Sequence, residues 1–186
     1  AKVNDCNNMD SALYEASIGG HLSIVKFLIS KRASVHRVSR DRVTPLIGAI
    51  RYHNDEIVEF LLSNGANCND SDARGEKSAI HIAAAAGQVS IVESLLNHGA
   101  DIHEEDMYSR TPLALAIESG NLAMVDLLIS KGVNLNDIIL SGNITPLMRA
   151  ISRQKVAIVE LLISKGASLE SRSRDNSTPL LYAAST

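Results

Sequence analysis

Two kinds of short apolar block alternate along the chain, with polar stretches between them. The first opens on Ser or Thr, then Pro or Ala, then Leu or Ile; its starts are Ser11, Thr44, Ser78, Thr111, Thr145 and Thr178. Five residues after each start stands an alanine: Ala16, Ala49, Ala83, Ala116, Ala150 and Ala183. The second block carries apolar pairs at helical spacing: Ile24-Val25 with Leu28-Ile29, Ile57-Val58 with Leu61-Leu62, and Ile91-Val92 with Leu95-Leu96. Met124-Val125 with Leu128-Ile129 and Ile158-Val159 with Leu162-Ile163 continue it. Residues three and four apart share a helix face, so both blocks predict short amphipathic helices.

The starts are separated by 33, 34, 33, 34 and 33 residues, a period that marks a repeat architecture. Each framework position has a physical reason. The Ser or Thr is placed to cap a helix N-terminus, accepting from an amide of the first turn. Proline after it occupies the first helical position, where a missing N–H costs nothing. Ala five residues on lets that helix lie close to its neighbours. The second helix ends at Gly65, Gly99, Gly132 and Gly166, glycine being suited to the left-handed position that follows a helix. Arg32 stands there in the first copy and is expected to end its helix less comfortably. Polar residues then turn the chain into the next unit.

The pattern resembles the ankyrin repeat, read here as TPL-xx-A, then IV-xx-LL, then GA. The third copy (SAIHIAAAAGQVSIVESLLNHGADIH) and the fourth (TPLALAIESGNLAMVDLLISKGVNLN) match it best. The resemblance covers essentially the whole chain. It implies an all-α fold, a solenoid of stacked antiparallel helix pairs with β-hairpin-like turns. The expected organisation is one domain over 1–186, with units starting near 6, 39, 72, 106, 139 and 173 and the last one partial. One residue is inserted before Ser78 (DARGEKS) and one before Thr145 (ILSGNIT), both in turns, where length changes are best tolerated. Ala1-Lys2-Val3-Asn4 reads as the tail of a preceding unit, and TPLLYAAST as the first helix of a sixth. Neither end carries the polar outer face that usually closes a solenoid. The chain is therefore expected to be part of a longer protein.

Composition agrees with thin stacked layers. Apolar residues make up 45%, yet there is no Trp, only two Phe and four Tyr. No apolar run approaches the ~20 residues of a membrane helix, and the first ten residues lack the basic start and apolar block of a signal peptide. A net charge of −3 argues against a broad nucleic-acid surface. Two cysteines, Cys6 and Cys68, are too few for a disulfide scaffold, so a reducing, cytoplasmic setting is expected.

Candidate chemistry is sparse. His98 and His103, with Asp101 between them, form the densest group, but no zinc-site spacing accompanies them. His81 sits at the fourth position of the signature, where the resemblance implies a structural hydrogen-bonding role, and His21 fills a framework position after Gly20. Cys68 aligns with Val35, Ile102, Leu135 and Leu169 and is expected to be a small buried hydrophobe. No nucleophile–base pair and no glycine-rich phosphate loop is present. No catalysis, metal or cofactor is expected.

Specificity must then lie where the framework leaves residues unfixed. The resemblance implies a concave face built from the turn tips and the first helices. The matching positions are Arg40, Asp41, Arg51 and Tyr52 in the second unit, and Arg74, Glu76 and Lys77 in the third. Met107, Tyr108, Arg110 and Glu118 supply the fourth, Ile139, Leu140 and Arg153 the fifth, and Arg174 the sixth. Arginine offers a fork for carboxylates, and Tyr is a common interface anchor. Turn arginines can equally be merely solvated, and the nearby insertion leaves open that Ile138, Ile139 and Leu140 fold inward. The expected function is binding of another protein or an extended, somewhat acidic peptide. The alternative is a structural spacer or regulatory segment of a larger channel, cytoskeletal adaptor or enzyme. The sequence leaves the oligomeric state open.

Overall fold

The computed structural model describes residues 12–72, 74–139 and 142–185. Among them are eleven α-helices and no strand beyond one isolated antiparallel bridge, Ser71 with Ser78. The helices are α1 (Ala12–Ile18), α2 (Leu22–Ser30), α3 (Pro45–Arg51), α4 (Asp55–Ser63), α5 (Ala79–Ala86) and α6 (Val89–Asn97). They continue as α7 (Pro112–Ser119), α8 (Leu122–Ser130), α9 (Pro146–Ser152), α10 (Val156–Ser164) and α11 (Pro179–Ser185). Odd-numbered helices are the blocks that follow the Ser or Thr starts, and even-numbered ones the blocks with paired apolar residues at helical spacing.

The chain falls into two compact units. One runs to Ala83 and includes Ser90–Asp101; the other holds Ala84–Val89 and everything from Ile102 on. In the first unit α1 packs on α2 and α3, and α3 on α4. In the second, α9 is flanked by α7, α10 and α11, and α8 packs on α10.

Local chemistry follows the sequence closely. The hydroxyls of Thr44, Thr111, Thr145 and Thr178 accept from the N–H three residues on, at 3.3 to 3.4 Å. Ser78 differs: its hydroxyl pairs at 2.7 Å with Nδ1 of His81, a fully buried ring. Framework leucines at Leu46, Leu113 and Leu147 are buried, whereas Leu180 of α11 is 78% exposed. The second residue after the end of α4, α6, α8 and α10 takes a left-handed φ, +86° to +96° at Gly65, Gly99, Gly132 and Gly166. Arg32 is forced to φ 64° at that place, a conformation that burdens any residue with a Cβ.

The turns share one closure. Ser39, Asp106 and Ser173 donate their N–H to the carbonyl four residues on, at 2.9 to 3.0 Å. Asp72 and Ile139 donate to the carbonyl five residues on, Lys77 and Ile144. The two inserted residues are thus absorbed inside the turn tips, leaving helix register untouched.

Candidate interaction surface

The turn closure decides which tip residues face outward. The residue that opens each turn lies underneath it: Ser39, Asp106 and Ser173 are buried. Most use a side-chain oxygen to hold the tip amides. Asp106 Oδ1 accepts from the N–H groups of Tyr108 (2.8 Å) and Arg110 (2.9 Å). Asp72 Oδ1 does the same for Arg74 and Glu76. In the fifth repeat this place belongs to Ile139, which is 2% exposed. That corrects its assignment to the surface: its main chain closes the turn and its side chain packs below it. The neighbour Ile138 is the exposed one, at 52%. Leu140 lies outside the described residues. Val43, next to the tip of the second repeat, is likewise buried, its carbonyl closing the turn with Ser39.

In the first unit Arg40, Asp41 and Arg51 are exposed and Tyr52 is 60% exposed. Arg74 pairs with Glu76 at 3.5 Å, and Lys77 is half-buried. Beside Tyr52 lies a ring that the sequence reading missed, Tyr14. It is half-buried, and Gly48 of α3 makes room for it: a Cβ there would stand 2.9 Å from the Tyr14 ring. Burial, together with the nearby Tyr52 and Glu15, raises the Tyr14 phenol above its ordinary value, opposed by a hydrogen bond with Ser39 and by Arg51. Tyr14 occupies a position filled by buried Ile47 and Met148 elsewhere.

In the second unit Met107 and Tyr108 are 60% and 55% exposed. Arg110 is not a free guanidinium. Its Nε and one terminal nitrogen bond Asp106 Oδ2 at 2.8 and 2.7 Å, and the other reaches Glu118 at 3.6 Å. Its plane also lies 4.8 Å from the centroid of Tyr108. Glu118 is paired in turn with Arg149. Burial alone would raise the Asp106 carboxyl, but hydrogen bonds from the Arg110 side chain and the amides of Arg110 and Tyr108 outweigh it and hold it below the usual range. Arg149 escaped the sequence reading; a charged residue where Gly48 and Leu115 stand in other copies was the available signal. Arg153 and Arg174 are exposed, the latter giving its N–H to Gly142 at 2.8 Å.

The arrangement therefore offers exposed rings, that of Tyr108 lying against Arg110, with part of the positive charge neutralised internally. Cys68, expected to be buried, is half-buried and its thiol donates to the His98 carbonyl at 3.2 Å. Among the described residues no three His, Cys, Asp or Glu side chains converge on one point, and no helix is long and apolar enough to cross a membrane.

Comparison with known proteins meets this picture. The description "Ankyrin repeats (3 copies)" matches residues 1–72 and 70–139, and "Ankyrin repeat" matches 142–174. An ankyrin repeat and KH domain-containing protein of Caenorhabditis briggsae is 33% identical over 139 residues, 72% of this chain and 5% of its own length. The B-cell lymphoma 3 protein homolog of Mus musculus is 31% identical over 147 residues, 76% of this chain and 33% of that protein. The crystal structure of the Bcl-3 ankyrin repeat domain superposes with a TM-score of 0.86 at 29% identity, covering 98% of this chain and 82% of that one. This chain thus spans a third or less of these two curated relatives. Repeats of this kind generally mediate protein–protein interaction. The 33-to-34-residue period, the capped helix pairs and these matches converge on one assignment: the chain belongs to the ankyrin repeat family, with that family's all-α solenoid fold.

Proposed function

We propose that this chain is a non-catalytic, protein-binding module acting through its turn tips and the ends of its first helices. One observation carries the reading: Tyr52, Met107 and Tyr108 are more than half exposed at positions the framework does not need, and Tyr108 is braced by Arg110. Rigid, half-supported rings lose little entropy on binding and make good anchors. The partner is a protein segment, extended or folded, that brings apolar groups to these rings and acidic groups to Arg51, Arg153 and Arg174. The chain's five full repeats and partial sixth form a single ankyrin repeat domain in a reducing, cytoplasmic compartment, without nucleic acid.

A second reading draws on relatives of which this chain spans a small part, such as the KH domain-containing protein. There the repeats are a spacer or regulatory segment of a larger protein. One experiment separates the two. Wild-type chain and a Tyr52→Ala/Tyr108→Ala variant serve as baits in quantitative capture from lysate. A protein held by the first and lost by the second supports the tyrosine-anchored module. Equal capture removes these rings from the site, and no specific capture favours the spacer.

A further inference from the structure

The tyrosine surface is not the only built feature. Along α2, α4 and α6 of the first unit runs a groove of about 520 Å³, floored by Leu22 and Phe60 and edged by Asp55, Glu56 and Glu59. We propose that this outer-helix groove docks a basic amphipathic helix of a partner protein, at a site separate from the tyrosine surface.

Three observations point to that occupant. First, the carboxylates are held in place. Ser90 and Ser94 of α6 donate their hydroxyls to Asp55 and to Glu59, the latter at 2.6 Å, each engaging one oxygen. Asp55 and Glu59 lie four residues apart and so face the same way, one helical turn from each other. That spacing suits cationic side chains presented one turn apart on a second helix. Second, the floor already accommodates an alkylammonium. The Lys26 ammonium lies 5.6 Å from the Phe60 ring centroid, the geometry in which a cation is drawn to an aromatic face. Third, the apolar surface continues beyond the groove on α2. The chain's two phenylalanines, Phe27 and Phe60, occupy the same repeat position, where later copies carry Ser94, Leu127 and Leu161. Phe27 is 58% exposed, with Lys31 over its ring.

A bland role accounts for part of this. Asp55 and Glu56 lie in the first turn of α4, where carboxylates favour the helix dipole. It does not account for Glu59 a turn later, nor for an aromatic floor between outer helices. Acidic edges over an apolar floor are complementary to a helix with one apolar and one Lys/Arg-rich face.

The test uses the full chain and two labelled peptides of equal charge. One is a Lys/Leu amphipathic helix of about four turns; the other is a Lys/Gly peptide that cannot form an apolar face. Anisotropy titrations are run with wild type, with Glu56→Lys/Glu59→Lys, and with Tyr52→Ala/Tyr108→Ala. The proposal expects the Lys/Leu peptide to bind the wild type at least about tenfold tighter than the Lys/Gly peptide, roughly the effect of burying one apolar side chain. It also expects about tenfold or greater loss on charge reversal, and no change with the tyrosine variant. Should charge reversal disturb folding by circular dichroism, Glu56→Gln is used, with a loss of about threefold expected. Equal binding of both peptides, or affinity that survives charge reversal, overturns the proposal. Loss confined to the tyrosine variant would give the helix to the other surface and overturn it too.

Discussion

Arg110 illustrates how a residue that reads as a binding hot spot can instead be structural. Its side chain is 21% exposed, and it neutralises Asp106, whose side chain is fully buried. Removing one partner of a buried pair costs about 3–5 kcal/mol where the remaining charge is left without partners. Here Asp106 keeps the amides of Tyr108 and Arg110, and Glu118 keeps Arg149. Arg110→Ala should therefore cost less, about 2–3 kcal/mol, scaled down from that range for the retained bonds. At roughly 2–4 °C per kcal/mol for a chain of this size, the thermal midpoint falls by about 4–12 °C. Urea and thermal unfolding followed by circular dichroism measure the two, with Arg153→Ala at an exposed arginine as control, expected within about 0.5 kcal/mol of wild type. If Arg110→Ala matched that control, the guanidinium would be effectively solvated and available to a partner, and the network argument would fail.

Three further outcomes follow from local geometry. Asp106 has a depressed carboxyl value, so its contribution to stability is present above its ordinary 3.8 and is lost as pH falls through the lower folded value. Asp106→Asn should be less stable than wild type at neutral pH, and the gap should close in acid unfolding curves below about pH 4; a pH-independent gap contradicts this. Gly87 has φ 72°, and a Cβ there would overlap the amide nitrogen of Asn121 and stand 3.0 Å from its Cγ, while Asn121 caps Met124 at 2.9 Å. Gly87→Ala should cost about 2–3 kcal/mol, against about 1 kcal/mol for Gly132→Ala, where a Cβ meets nothing; equal losses in urea unfolding would refute the steric term. Arg32→Gly relieves a left-handed φ of 64° and should raise stability by about 0.5–1 kcal/mol; no rise in midpoint means the Arg32 side chain contributes as much as its backbone costs.

The helices were legible because the framework is stated redundantly: a Ser or Thr start and an alanine five residues on recur six times, the spaced apolar pairs of the second helix five times, and the first-turn proline four times. What the sequence concealed lies where backbone geometry reverses a side chain. Ile138 and Ile139 are chemically alike, and only the bond from Ile139 to the Ile144 carbonyl decides which one is buried. Tyr14 shares a column with buried aliphatics, and its site depends on Gly48 being small on another helix. The pairing of Glu118 with both Arg110 and Arg149 joins three positions from two repeats, which no single copy of the motif records.

The internal pairing of charges leads to one last expectation, about salt. On the tip surface, Arg74 faces Glu76 and Arg110 faces Asp106 and Glu118, so much of the arginine charge is already compensated before a partner arrives. Recognition there should rest mainly on the rings of Tyr52 and Tyr108. The outer groove instead gathers Asp55, Glu56 and Glu59 around a single Lys26. Raising ionic strength shortens the screening length from about 10 Å at 0.1 M to about 3 Å at 1 M. Tyrosine-dependent binding should therefore change less than about threefold between 0.05 and 0.3 M salt, while binding of a basic helix to the groove falls about tenfold or more. Titrating a captured partner and the Lys/Leu peptide over that range compares the two directly. A steep fall for the tyrosine-dependent partner would mean that Arg51, Arg153 and Arg174 dominate recognition and that the partner is acidic, in line with the arginine pattern of the sequence.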